Sequence, residues 1–463
     1  MSQLFRRLRH SLPSGAPLAA LLASVAILSI AVILLEWPVL QHTHGKFILP
    51  TDDAFVNVSV ARNFSFYQVW GISQHSFQSA SSSLLYPLIL APVFFITGAH
   101  LVIVLALNFL VAMVFLVVLQ RVLIRHGLPA GRQFIVLVEG MALTVLPLLV
   151  VSGTEYTLQL LMVFLFMEAL SKALSDPTVK TGLPWRVYIL ALVTVATRYE
   201  DILIIALATL LVNPLRGWRT ASKLACVAIL PIVVFGGISL TKGSYFLPNA
   251  LLIGPYPAYA IFLTFCALCA IIPLLGSYLK LSVPEKTKAV PYLSLVLLAI
   301  MALPFATRNL SALGHFKRDC IRMYDEEYLT AGFVHLYYYK STVGIDEPGA
   351  VSWFSEGRKL DFTGIANDEV IRSKKHHSWS PLYADSLGRR SGIRAAILTN
   401  PWFDPGELPK WNIIATWTIP DSSPGGEKVV NFFALNQYDT AGLRRNLHEY
   451  QHLLPADVAV RYY

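Results

Sequence analysis

The chain has 463 residues, of which 55% are apolar and 14% charged, with a net charge of +9; mean hydropathy is +0.56. Soluble globular chains carry roughly 25% charged residues, so the composition excludes an ordinary soluble protein. The positive balance does not indicate nucleic acid: Lys and Arg fall in short segments between apolar runs, and no basic stripe with interleaved aromatics appears.

In chain order, Arg6, Arg7 and Arg9 precede the apolar run Pro17–Leu35. That run is near the ~20 residues needed to cross a bilayer. Glu36-Trp37-Pro38 is a poor small-residue cleavage site, so a retained first helix is expected rather than a signal peptide. The stretch Leu84–Gln120 reads in two ways. Two crossings would put Arg121, Arg125 and Arg132 on the side of Asp52; one interfacial helix (Ser82–Thr97) and one crossing (His100–Gln120) put them with Arg6 and Arg7. The positive-inside rule selects the second count, and Pro87 and Pro92 agree with a segment lying on the membrane.

Further crossings are predicted at Phe134–Val151, Leu158–Leu174, Val187–Thr197, Ile202–Val212, Leu224–Leu240, Tyr256–Leu275 and Val290–Ala306. The fold class expected is a polytopic α-helical membrane protein of about nine transmembrane helices plus the interfacial helix. Lys172 through Arg186, Arg216 through Lys223 and Lys280 through Lys288 form the cytoplasmic loops, with a cytoplasmic N-terminus. Cys266 and Cys269 form a CxxC inside one apolar run, where no second Cys or His pair completes a zinc site. Glu139 and Glu168 lie inside predicted helices and are expected to face partners there.

Composition shifts after Arg308. The segment Gly314–Tyr463 has frequent charges, apolar patterns such as AVSWF, AAIL, IIATWTI and VVNFFAL, and the turn signal Ser423-Pro424-Gly425-Gly426. It reads as an extracytoplasmic α/β domain following a membrane domain over residues 1–313.

On this topology four polar clusters share the external face: Thr51-Asp52-Asp53, Ser152-Gly153-Thr154-Glu155, Arg198-Tyr199-Glu200-Asp201, and Lys242 through Asn249. Two adjacent carboxylates suit general-base chemistry or metal binding, although Asp before an apolar run is also a common helix cap. Arg198, Glu200 and Asp201 interrupt an apolar stretch, where charges are expensive and tend to be paired or functional. Arg198 and Lys242 are candidates to steady an anionic group. His376-His377 reads as part of a solvated basic loop.

Together these clusters resemble bacterial GT-C glycosyltransferases of the arabinofuranosyltransferase-like and mannosyltransferase-like groups, which use polyprenyl-phosphate sugars. Thr51-Asp52-Asp53-Ala54-Phe55 with Ala61-Arg62-Asn63 resembles their DDAY…ARN signature. Ser152–Glu155 is similar to their SGxE segment, Thr197–Glu200 to TRPE, and Phe246–Asn249 to LPN. Gly349–Phe354 with Asp361–Gly364 is similar to their G-A-x-x-Y-F…D-x-x-G pattern. Tyr199 departs from the usual Pro, and Gly71–Ser83 lacks the EGYTSP-like wording.

The resemblance implies transfer of a sugar from a polyprenyl-phosphate donor to a hydroxyl of a glycan or other cell-envelope acceptor, at a bacterial inner membrane. Asp53 or Asp52 would take the acceptor proton. Arg198, Glu200, Asp201, Lys242 and Arg62 would serve the donor, with Glu155 and Asn249 in the same motifs. No cofactor is identified and no metal ligand set is indicated. A transporter or flippase of a lipid-linked sugar is the rival reading. It predicts paired broken helices and internal symmetry, and no internal repeat appears. A catalytically inactive relative that scaffolds an envelope complex is a third.

Overall fold

A computed structural model describes residues 15–176, 182–253, 311–399, 411–420 and 427–463. The basic residues before Gly15, the expected spans Tyr256–Leu275 and Val290–Ala306, the loop Lys280–Lys288, the CxxC and the Ser423–Gly426 turn lie outside the described residues. The chain divides into two units, and the division is not sequential.

The first unit is helical. Four helices of the described chain are long and apolar enough to cross a membrane: Ala16–His42, Leu101–Arg125, Tyr156–Ser175 and Trp218–Thr241. The last begins in the first unit and ends in the second. Trp185–Thr197 and Ile202–Arg216 are shorter, at 13 and 15 residues. The expected crossing Phe134–Val151 is instead two helices, Ala130–Leu143 and Leu146–Val151. Pro147 explains the break: it has no N–H to donate, and its ring collides with the carbonyl four residues back, that of Leu143. Val145 takes a left-handed φ of 49° at the joint.

Buried amides hold this unit. Gln120 donates to Pro17 O at 2.6 Å, and Asn108 to Thr154 O at 3.0 Å. Glu168 meets Arg125 at 2.5 Å and also pairs with Lys172. Glu139, expected to face a partner, is exposed on its helix instead.

The second unit gathers Gly45–Leu101, the stretch Ile229 through Ile253, and the chain from Arg318 onward. Its helix Leu85–Thr97 ends at Gly98, whose φ of 84° stops the helix. At 13 residues it rises about 20 Å, too short to span a bilayer. It buries Tyr86, Leu90 and Phe94 and exposes Leu88, Phe95 and Ile96.

The six-stranded sheet has the order β2-β1-β3-β5-β4-β6. The strands are β1 (Thr342–Ile345), β2 (Lys359–Asp361), β3 (Ile393–Leu398), β4 (Asn412–Pro420), β5 (Glu427–Ala434) and β6 (Ala459–Tyr462). β2 and β3 flank β1 in parallel, and the remaining pairs are antiparallel. Strand alternation splits the core: Phe432 joins Trp417, Phe333 and Tyr450 on one face, while Phe433 joins Phe362, Trp411 and Leu387 on the other. Each such side chain contributes about 1.5–3 kcal/mol on full burial.

AAIL, IIATWTI and VVNFFAL supply β3, β4 and β5, as their patterns suggest. AVSWF does not form a strand; it belongs to the helix Pro348–Phe354. Every residue from Ala350 to Trp353 is buried, so no exposed-buried alternation selects a strand. Pro348, at the start of the helix, has the φ a first helical turn needs.

Candidate functional site

The expected site residues fall into two clusters, one in each unit. In the first unit Arg198 is 3% exposed and forms the centre. Its Nη1 donates to Glu155 at 2.5 Å and its Nη2 to Glu200 at 2.7 Å. The guanidinium lies 4.8 Å from the Tyr156 ring centre. Asp201 follows on a short 3-10 turn and accepts from Gln159 Nε2 at 2.7 Å. The SGxE-like and TRPE-like segments are therefore joined by one cation between two carboxylates. This is the arrangement a buried charge requires, since an unpaired one costs several kcal/mol.

The second cluster is built on the helix Asp52–Tyr67. Thr51 is its N-cap, so Asp52 sits at the first helical position with its carboxylate free for another element. That element is the helix Pro348–Phe354. Asp52 Oδ1 accepts from Gly349 N at 2.7 Å and from Ala350 N at 3.1 Å. A side chain at 349 would not fit: a Cβ there would lie 2.3 Å from Asp52 O. Ten residues further along the same helix, Arg62 donates to Trp353 O at 2.5 Å and Ser352 O at 2.9 Å. An acid thus closes the amino end of Pro348–Phe354 and a base its carboxyl end, as peptide dipoles favour. Phe55 and Phe354 pack at 5.6 Å between ring centres.

The remaining motifs join this unit. Asn63 donates to Gly71 O at 2.9 Å. Asn249 is fully buried; it donates from Nδ2 to Asp368 at 2.7 Å and from its backbone to Ser79 O at 2.7 Å. Asp361 closes its own turn on Thr363 N and Ala366 N, each at 2.7 Å. Asp53 is exposed and Lys242 is exposed.

Four residues that the sequence did not single out complete the second cluster. Glu326 and Glu327 lie on a π-helical turn, Met323–Tyr328, a distortion frequent at functional sites. Glu347 precedes Pro348, and Lys428 on β5 meets Glu326 at 2.5 Å and Glu347 at 3.5 Å. Glu327 shares side-chain hydrogen bonds with both Glu347 and Asp52. Burial and the charge of Glu347 push the Asp52 carboxyl up to about 7, against the pull of Glu327 and the Ala350 N–H. Burial and Glu347 likewise push Glu326 up to about 7 despite Lys428. Glu327 is raised by burial, then by Glu347 and Asp52. Glu347 is half-buried, and Glu327, Lys428 and Arg322 hold it below the usual carboxylate range. The sequence signal was the run Asp325-Glu326-Glu327 among aromatic and apolar residues.

The cluster lies at the carboxyl ends of β1 and β3. The chain goes from β1 to β2 on one side and then to β3 on the other. Open parallel sheets bind ligands at such reversals. Just beyond the strands, Asp346 accepts from Thr399 N at 2.7 Å and from Thr399 Oγ1 at 2.9 Å. Among the described residues, no group of three or more His, Cys, Asp or Glu is arranged to hold a metal ion. Comparison of the chain with family models, with curated proteins and with solved structures returns no match.

Proposed function

We propose that this chain is a membrane glycosyltransferase of GT-C type, acting on the extracytoplasmic face of a bacterial inner membrane. It would transfer a sugar from a polyprenyl-phosphate donor to a hydroxyl of an envelope acceptor. The observation that carries this reading is the bond from Asp52 to Gly349 and Ala350. Two signatures about 300 residues apart in sequence meet there at a carboxylate, and that carboxyl is poised at about 7, where a general base works best near neutrality.

In this reading the acceptor oxygen attacks the anomeric carbon of the donor sugar. The bond from that carbon to the phosphate oxygen breaks, and its electron pair leaves with the polyprenyl phosphate. The acceptor proton passes to Asp52, with Asp53 exposed beside it. Lys242 is our candidate for steadying the leaving phosphate. It is exposed, whereas Arg62 gives its guanidinium to carbonyls and Arg198 to carboxylates. The exposed apolar side chains Leu88, Phe95 and Ile96 of Leu85–Thr97 suit contact with lipid and with the carrier chain.

The test uses purified protein in lipid nanodiscs with farnesyl-phosphoryl arabinofuranose and farnesyl-phosphoryl mannose as donors and alkyl glycosides as acceptors. Acceptor-dependent release of farnesyl phosphate is expected. Movement of intact donor across proteoliposomes, with no cleavage of either probe, would overturn the reading in favour of a flippase.

A further inference from the structure

Glu327 is buried, yet its neighbours offer it too few donors. It is 4% exposed, and its Oε2 and the Oε2 of Glu347 are buried without an N–H or O–H donor. Two carboxylates in that situation cannot both remain ionised at close range; a proton held between them satisfies both oxygens. Glu327 is also hydrogen-bonded to Asp52, so the three carboxyls form a chain: Asp52, Glu327, Glu347.

The chain ends beside a cavity. Glu327 and Glu347 line a small cavity at the ends of β1 and β3, together with Asp346, Thr330 and Thr399, with room for about one water. Thr330 is 4% exposed, and its Oγ1 is buried with no partner. An unpaired hydroxyl beside two carboxyls is what a water in that cavity would bridge.

We propose that Glu327 is a positioning residue that carries a shared proton from Asp52 to Glu347 and solvent, so that Asp52 is restored as a base after each turnover. The inference rests on the reading of Asp52 as general base. In the step, the acceptor O–H bond breaks and its proton joins Asp52. The proton already on Glu327 moves to Glu347, and Glu327 takes the new one from Asp52. Glu347, whose side chain is 24% exposed, then releases its proton to solvent, and the charge of the cluster returns to its starting value. The other charged groups facing the chain are Asp53 beside Asp52, Glu326 on the π-helical turn, Arg322 one turn earlier, and Lys428 on β5. Lys428 and Arg322 lie at the Glu347 end, where they favour the ionised form and so assist the last step, the release of the proton from Glu347.

The experiment pairs Glu327→Gln with infrared titration of the full-length protein in nanodiscs. Glutamine keeps the size and the hydrogen-bonding capacity but cannot pass on a proton. Asp52 and Glu326 contribute protonated-carboxyl bands of their own near pH 7, so the expected signal is an additional carbonyl component that persists above their titration in the native protein and is missing from Glu327→Gln in the difference spectrum. With the farnesyl-phosphoryl donors, kcat is expected to fall about tenfold, less than for loss of the base itself, with KM within about twofold. The acid limb of the pH profile should also move. If the variant does not fold, Glu347→Gln interrupts the chain from its other end and carries the same kinetic expectations, with the carbonyl component of Glu327 retained. A difference spectrum between native protein and Glu327→Gln that lacks this additional component, or an unmoved pH profile alongside an inactive Asp52→Asn, overturns the relay and leaves the transferase reading intact. A fully active Asp52→Asn overturns the base, while the infrared band still decides whether the proton is shared.

Discussion

The two polar clusters handle buried charge in opposite ways. Around Arg198 a single cation sits between Glu155 and Glu200, and both contacts are within 2.7 Å. Around Asp52 four carboxyls, with Glu326, Glu327 and Glu347, face Lys428 and Arg322 only at one end. The first arrangement divides one guanidinium between Glu155 and Glu200 and gives Asp201 the Gln159 amide, so its carboxyls are held by donors and not by one another. The second balances only if some of its carboxyls stay protonated. A cation between carboxylates suits a joint that holds helix ends; carboxyls hydrogen-bonded to one another suit proton chemistry. The sequence presented both as polar residues at helix ends, and it favoured Arg198 as a ligand for phosphate. The geometry gives that guanidinium two internal carboxylate partners.

The largest expected effect tests the joint. Arg198→Ala leaves Glu155 and Glu200 buried without their cation, a loss of about 3–5 kcal/mol. Failure to recover monodisperse protein in detergent is the expected outcome. Arg198→Lys keeps a charge but loses the planar fork that reaches both carboxylates. It should lower the melting temperature and leave the donor KM unchanged; a raised KM in a protein of unaltered stability would return Arg198 to the donor site.

Next comes the proposed base. Asp52→Asn removes the charge but retains an oxygen for the Gly349 and Ala350 N–H groups, so the fold should be kept. Transfer should fall about 10²–10⁴-fold. Asp53→Asn, at an exposed position, should cost far less. Rates for the two variants measured side by side would reverse the assignment if Asp53→Asn proved the inactive one.

The contrast also predicts a pH dependence. Asp52 and Glu326 have folded values raised to about 7, above those of the unfolded chain. The folded state therefore binds more protons between about pH 4 and 7. Stability from these groups is complete at the acid end of that window and is lost as pH rises through 7. Glu347, held low, acts oppositely: its contribution is lost as pH falls below the ordinary carboxylate range. Hydrogen exchange of Pro348–Phe354 should show the net effect. Each extra bound proton changes the opening constant about tenfold per pH unit. Protection that is flat from pH 5 to 8, or that rises with pH, would count against the proton-rich cluster.

What could be read from sequence divides along physical lines. Long apolar runs made their own helices, because about 20 apolar residues satisfy their backbone internally wherever they pack. β3, β4 and β5 were legible because alternating side chains face two different cores. Pro147 marks the broken helix, but the run around it is uniformly apolar and so reads as a single crossing. The helix Pro348–Phe354 was hidden because both its ends are closed by a segment about 290 residues distant. Glu327, Glu347 and Lys428 carry no mutual spacing in sequence; only β5 and the π-helical turn bring them together.

The smallest expected effect concerns Arg62, which the resemblance assigned to the donor. Its Nη1 and Nη2 reach Trp353 O and Ser352 O, and its guanidinium carbon lies 5.1 Å from the Trp353 ring centre. These contacts give it the role at Pro348–Phe354 that Arg198 has between Glu155 and Glu200, with carbonyls in place of carboxylates. Carbonyl dipoles attract a guanidinium less strongly than full charges do, so the loss on substitution is smaller. Arg62→Lys keeps the cation but can direct only one ammonium at two carbonyls. A loss of about 1 kcal/mol is expected, seen as a modestly lowered melting temperature. Because the carboxyl end of that helix would loosen while Asp52 still holds the amino end, kcat should fall slightly and the donor KM should stay the same. A donor KM raised tenfold without a change in melting would place Arg62 on the phosphate and leave Asp52 as the sole clasp of the helix.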